Sequence, residues 1–280
     1  MGKRRKRMVT GALALLLTGW LLWSNLSPVL TNIEYASSNI PTSFDGYRIL
    51  LVSDLHDACF GEENSRLIKL AREALPDLIL ITGDHVDSTR TDIPHSLAFS
   101  AALAEIAPVY YVSGNHEALI PESEYQKLLR GLEELGVNLL LDDAVMIEKD
   151  GEIVNLIGLR DVGFLKGKFA EKAEASAVTL VSLIKPGFTI LLAHRPELIE
   201  FYDLPGVDLM LSGHAHGGQV RLPLIGGLYA PGQGILPKYD VGLYERAGAD
   251  LIVSGGLGNS IFPVRVNNRP ELLLITLSQR

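Results

Sequence analysis

At 280 residues the chain suits one large domain or two small ones, with ample length for a buried core. A formal net charge of −8 argues against a nucleic-acid partner, which needs a basic surface. A single cysteine, Cys59, excludes an internal disulfide and a thiolate zinc site.

The chain opens on a cationic run, Lys3, Arg4, Arg5, Lys6 and Arg7, and then carries no charge until Glu34. Met8 to Trp23 is strongly apolar, and residues 8–30 are expected to form a transmembrane signal-anchor, with Trp20 and Trp23 as interfacial aromatics near its outer end. A cleaved signal peptide shares the basic start, but no small-x-small cleavage site follows. A buried core helix would not normally carry five cations at its entrance. The positive-inside rule makes residues 1–7 a basic cytoplasmic tail and sends the remainder outward. The expected location is therefore the cell membrane, single-pass, with the folded domain extracytoplasmic; export after signal cleavage is the alternative. Residues 31–46, rich in Ser, Asn, Pro and Thr, read as a polar tether.

From Tyr47 short apolar runs alternate with amphipathic stretches. Strands are expected at 47–54, 77–84, 108–115, 188–194, 207–214, 250–258 and 270–277, and helices at 63–75, 95–106, 122–135 and 171–183. Continuous apolar runs bounded by Gly, Asp and Asn mark strands buried on both faces, and their alternation with helices predicts βαβ units. Lys149-Asp150-Gly151 between two apolar runs marks a hairpin over 144–159. These elements make one α/β domain with mixed sheets, residues 47–280.

The polar residues that end these strands carry the chemistry. Asp54 and His56 follow the first strand, Asp84 the second, and Asn115 and His116 the third. His194 ends the strand from 188, while His214 and His216 follow the one from 207. In open α/β sheets the carboxyl edge of the strands is the ligand edge. Each motif alone has a plainer reading: Asp-x-His as a helix cap, Gly-Asp as a turn, and His-Arg-Pro as a loop. Yet five of the seven histidines fall in these positions, which chance would not arrange. Imidazole with carboxylate and amide oxygen, and no thiolate, suits a borderline or hard divalent ion such as Mn²⁺, Fe²⁺ or Zn²⁺. Asp54, His56, Asp84, Asn115, His194, His214 and His216 are more donors than one tetrahedral ion uses. Two metal ions are therefore expected, with Asp84 as the candidate bridge.

The blocks DLH, GD, GNHE, AH and GHAHGG, over residues 49–219, resemble those of the calcineurin-like metallophosphoesterases. The resemblance implies a four-layer α/β/β/α sandwich and a site with two divalent metals. Asp54, His56, Asp84 and His216 would hold the first metal; Asn115, His194 and His214, with Asp84 bridging, the second. It further implies hydrolysis of a phosphoester or pyrophosphate by a hydroxide held between the metals, with His116 off the metals as general acid. Arg195 is the candidate that neutralises substrate phosphate. The tail GGLGNSIFPVRVNNRPELLLITL is similar to that of membrane-anchored bacterial phosphodiesterases, some of which are assigned as UDP-2,3-diacylglucosamine pyrophosphatases in lipid A synthesis.

Two positions depart from the family pattern: Ala215 stands where a hydroxyl is common, and His85 where an apolar residue is usual. His85 is taken as a surface residue rather than a partner behind the ligands. The expected substrate is a phosphodiester or a lipid-linked phosphate, from the anchor and the apolar Gly/Pro-rich segment 222–237. An outward-facing domain, however, does not suit a nucleotide-sugar lipid made in the cytosol. The rival readings are a non-catalytic metal-binding scaffold and a membrane-tethered lipid-binding module; the second would leave the histidines idle.

Overall fold

The computed structural model describes residues 3–259 and 262–280. Helix α1 (Lys3–Leu26) leads into β1 (Val29–Ser37), β2 (Arg48–Val52), α2 (Ser65–Ala74), β3 (Leu78–Thr82), α3 (Ile93–Ala104) and β4 (Val109–Val112). Next come α4 (Glu122–Glu134), β5 (Asn138–Leu139), β6 (Asp143–Lys149), β7 (Glu152–Gly158), α5 (Phe169–Leu183) and β8 (Thr189–Leu192). The chain finishes with α6 (Ile199–Tyr202), β9 (Leu209–Ser212), β10 (Gly242–Tyr244), β11 (Asp250–Val253) and β12 (Glu271–Gln279). Between β9 and β10 lie two short antiparallel pairs, Arg221–Leu222 with Gly226–Gly227 and Tyr229–Ala230 with Gly234–Ile235.

The continuous apolar runs split by alternation, because successive strand residues point to opposite faces. In β2, Leu50 and Val52 face one core while Ile49 and Leu51 face another. In β9, Leu209 and Leu211 share that second core, and Met210 faces a third. The first core is closed by α2, α3 and α4 through residues such as Leu67, Phe99 and Leu128. The third is closed by α5 and α6 through Leu180 and Tyr202. The second lies between the two sheets. The layers are thus helix, sheet, sheet, helix.

One sheet runs β1-β12-β2-β3-β4-β5 and the other β10-β11-β9-β8-β7-β6. Both are mixed: β2, β3, β4 and β5 pair in parallel, as do β11, β9, β8 and β7, while β12–β2, β6–β7 and β10–β11 are antiparallel. The ligand-bearing strands β2, β3, β4, β8 and β9 therefore send their carboxyl ends to the same edge of each sheet.

The N-terminal expectations need correction. Among the described residues no helix is long and apolar enough to cross a membrane, where a spanning segment over 8–30 was expected. The end of α1 is polar and docked: Asn25 Nδ2 donates to the Arg265 carbonyl (2.9 Å), and its Oδ1 accepts from the Arg265 N–H (2.7 Å). Residues 31–46 are not a tether. β1 adds to the sheet in parallel with β12, from Val29 opposite Glu271 to Ser37 opposite Gln279. An edge strand buries only part of its length, which is why Asn32 and Glu34 remain exposed in it and the sequence looks polar.

Deleting residues 1–40 removes β1 and strips β12 of one of its two partners, leaving β2; deleting 1–28 does not. The longer deletion is expected to melt at least ~5 °C below the shorter, at roughly 2–4 °C per kcal/mol for a domain of this size. Coincident melting curves would mean that β1 contributes nothing.

Candidate metal centre

The turns after β2, β3, β4, β8 and β9 converge, and they do so in an uncommon backbone conformation. Asp54 (φ 53°), His56 (φ 48°), Asp84 (φ 50°), His214 (φ 64°) and His216 (φ 48°) all sit in the left-handed region. Each such non-glycine residue is strained, of order 1–3 kcal/mol, and persists only where its surroundings over-determine it. Here cross-turn bonds do so. The Asp54 N–H donates to Gly83 O (3.1 Å), the His56 N–H to Asp84 O (3.0 Å), and the His214 N–H to Asp54 Oδ1 (3.0 Å). A Cβ on Gly114 would run into Asp84, and one on Gly213 into Ser53 and Asp54, so both glycines are required for the turns to touch.

Two buried groups of side chains result, each able to hold a cation: Asp54 with His56 and His216, and Asp84 with His194 and His214. In the first, His56 Nε2 lies 3.4 Å from His216 Nε2, and His216 Nε2 lies 3.7 Å from Asp54 Oδ1. In the second, His194 Nε2 is 3.1 Å from His214 Nδ1 and 3.1 Å from Asn115 Oδ1. Asp84 joins them: its Oδ2 stands 3.2 Å from His194 Nε2 and 3.6 Å from His56 Nε2. A cation placed between ring nitrogens that face one another this closely would be held by both lone pairs, and the oxygen and nitrogen donors fit divalent ions. His194 Nδ1 donates to Thr82 O at 2.7 Å, which leaves its Nε2 lone pair for a ligand position.

The electrostatics agree with that arrangement. Burial pushes His56 down to about 4 and His216 down to about 3, and holds His214 well below the usual imidazole range. All three are neutral near pH 7, the form that binds metal. Burial also opposes charge on His194, but Asp84, Asp54 and Asp161 push its pKa up to about 10, so an ion taking the Nε2 position would displace a proton there. Burial would raise the Asp84 carboxyl, yet His194, His56 and His116 outweigh it and hold it well below the usual carboxylate range.

Every strand-end residue expected at the centre lies there, but Arg195 is more tethered than expected. Its guanidinium is bound bidentately by Asp161, at 2.6 Å and 3.1 Å, with Nη1 3.3 Å from His214 Nε2. His85 is not at the surface; it is buried, with Nε2 2.8 Å from Ser100 Oγ, and burial holds its pKa at about 4. The turn that presents Asp84 faces it inward, beneath α3.

Several supporting residues had no assigned role in the sequence. Glu117, the last letter of GNHE, accepts the N–H groups of His85 (2.7 Å), Gly114 (2.7 Å) and Asp84 (3.0 Å), so one carboxylate staples two ligand turns. Burial and the neighbouring Asp84 push its pKa up to about 7. Arg265 is fully buried behind His216, donating to the carbonyls of Gly255 and Gly258 (both 2.6 Å), with Nη2 3.4 Å from His216 Nδ1. Asn268 Nδ2 donates to the His216 carbonyl at 2.7 Å. The signal for both was the quoted tail, whose polar residues interrupt an otherwise apolar stretch.

The comparisons with known proteins agree with the geometry. The family model for calcineurin-like phosphoesterases matches residues 47–218. The chain belongs to the calcineurin-like phosphoesterase family. It is a metal-dependent phosphohydrolase that uses two divalent metals. Phosphodiesterase YaeI of Escherichia coli (strain K12) is 32% identical over 239 residues, covering 82% of this chain and 82% of that protein. The uncharacterized metallophosphoesterase YkoQ of Bacillus subtilis (strain 168) is 31% identical over 229 residues, covering 80% and 81%. Among solved structures, TT1561 of Thermus thermophilus has the same fold, with a TM-score of 0.50 at 17% identity over 75% of this chain and 90% of that one.

Replacing Glu117 with Ala leaves three buried N–H groups without an acceptor. A loss of at least ~3 kcal/mol is expected, since each buried orphan costs about 1–3 kcal/mol. Chemical denaturation measures it, and a loss below ~1 kcal/mol would contradict the stapling role.

Proposed function

We propose that this phosphohydrolase cleaves a phosphodiester or a lipid-linked phosphoester, with His116 donating the proton that the departing oxygen needs. The position of Asp84 carries the reading, because one buried carboxylate oxygen faces histidines of both groups. Asp54, His56 and His216 would hold one divalent ion, and Asn115, His194 and His214 the other, with Asp84 shared. When bound, the two ions neutralise phosphoryl charge and lower the pKa of water to about 7.

The remaining work falls to the chain's own side chains. The His116 N–H donates to Asp84 Oδ1 at 2.7 Å, and its Nδ1 accepts from the Ser88 N–H at 3.0 Å. That second bond puts the ring proton on Nε2. His116 also falls in a third group able to hold a cation, with His56 and Asp87. A protonated Nε2 cannot ligate, however, and Asp87 is already engaged by Thr89 and Arg90. A proton donor is the better assignment. Arg195, oriented by Asp161, adds fixed positive charge beside His214. The relative named a phosphodiesterase supports a diester as substrate.

His116→Ala in the full-length protein is expected to lower kcat on bis-p-nitrophenyl phosphate by about 10²–10⁴-fold, the usual contribution of a general acid. Bound metal, measured by elemental analysis, should stay at the parent level. Parent-like turnover would remove His116 from the mechanism.

We also propose that α1 associates with a lipid bilayer. Leu15 (76% exposed) and Leu16 (71%) stand in water, and the sequence places five cations at the helix entrance to meet anionic headgroups. The full chain is expected to co-sediment with phosphatidylglycerol vesicles and Leu15→Glu/Leu16→Glu to stay in the supernatant; equal partitioning of the two would reject the placement.

A further inference from the structure

Two cavities reach the metal centre, and their walls differ in chemistry. The first, about 530 Å³, runs along His56 and is lined by Asp57, Thr89, Arg90, Asp92 and Asn259 among others. Its side chains offer charge and hydrogen bonds. The second, about 440 Å³, runs along His216 and is lined by Gln219, Val220, Leu228, Tyr229, Pro231 and Phe262. Apart from the His216 imidazole, its described lining carries no ionisable group except the Tyr229 phenol. The histidines on the two walls are neighbours, with the Nε2 atoms of His56 and His216 3.4 Å apart.

The rim of the second cavity is apolar and unpacked. Of the residues that line it, Tyr229 and Phe262 are each about half in water (54% and 50%). A packed cap would bury these side chains. A cluster of exposed large apolar residues beside a cleft marks a surface that expects an apolar occupant. What that occupant is follows from His216, which belongs both to the cavity wall and to the group that would hold a metal. Whatever fills the cavity lies beside a candidate metal ligand. A sugar or a base there would lose most of its hydrogen bonds to water, with little beyond the Gln219 amide to replace them.

We propose that the His216-side cavity takes a hydrocarbon chain of the substrate, while the polar substituent occupies the His56 side. The substrate class is therefore an amphiphilic phosphoester, with its chain laid between the 228–231 segment and Phe262. This rests on the phosphohydrolase reading and adds the side on which the chain is held.

The test is the affinity of the full-length, Mn²⁺-loaded protein for methyl, butyl and octyl phosphate, measured by calorimetry below micelle formation. Each methylene taken out of water contributes about fourfold. Allowing for partial burial, octyl phosphate is expected to bind at least ~30-fold tighter than methyl phosphate. In Tyr229→Ser/Phe262→Ser the octyl-to-methyl ratio, taken within the one variant, is expected to fall below ~5. Equal affinities in the parent protein overturn the proposal, and so does a ratio that the double variant leaves unchanged. Self-association of the parent that the double variant abolishes, with no chain preference, assigns the surface to a second copy and also overturns it. Methyl phosphate bound without chain preference leaves the hydrolase reading standing. If none of the three binds and bis-p-nitrophenyl phosphate is inert, both readings fail.

Discussion

Asp84 holds the centre together. Its carboxylate is buried between two groups of ligands, one oxygen facing His56 and His194 and the other accepting the His116 N–H. A buried anion is costly unless it is paired, and here the pairing comes from histidines on three different strand ends. That single group ties the first sheet, which supplies His56 and His116, to the second, which supplies His194. The packing of the two sheets is what brings those strand ends within reach of one carboxylate.

The turns cannot adopt this arrangement for nothing. Five of the candidate ligands hold left-handed backbone angles, and the protein surrounds them with groups that do no chemistry themselves. Glu117 fastens the turns after β3 and β4 from one side. Arg265 and Asn268 fasten the His216 turn from the other, and Asn25 at the end of α1 grips the Arg265 main chain in turn. The N-terminal helix is thereby connected to a metal-ligand turn through one buried arginine.

Much of the fold was legible in the apolar runs. Strands at 47–54, 77–84, 188–194 and 207–214 and helices at 122–135 and 171–183 were found within a few residues of their bounds, since strands buried on both faces have no polar positions to blur them. β1 was not legible. It is an edge strand with exposed Asn32 and Glu34, and its partner is the far end of the chain. His85 was misplaced for a related reason: a histidine after Gly-Asp looks like a turn residue until α3 packs over it and Ser100 takes its ring nitrogen. Glu117 was visible as a letter but not as a staple, because its partners are backbone amides, which no motif displays.

What the amino-acid order determined unaided is the donor set: two carboxylates, one amide and imidazoles at the ends of apolar runs, with the oxygen and nitrogen chemistry that follows from their types. How they group was implied by the family resemblance, but no residue type or spacing gave it, and the tertiary structure is what physically decides it. His216 joins His56 and Asp54 from 160 residues away, His194 joins Asp84 from another sheet, and an apolar cavity comes to lie along His216 rather than His56. The physical reason is that side-chain type is local, whereas neighbours across two packed sheets are set by register and by which faces are buried together.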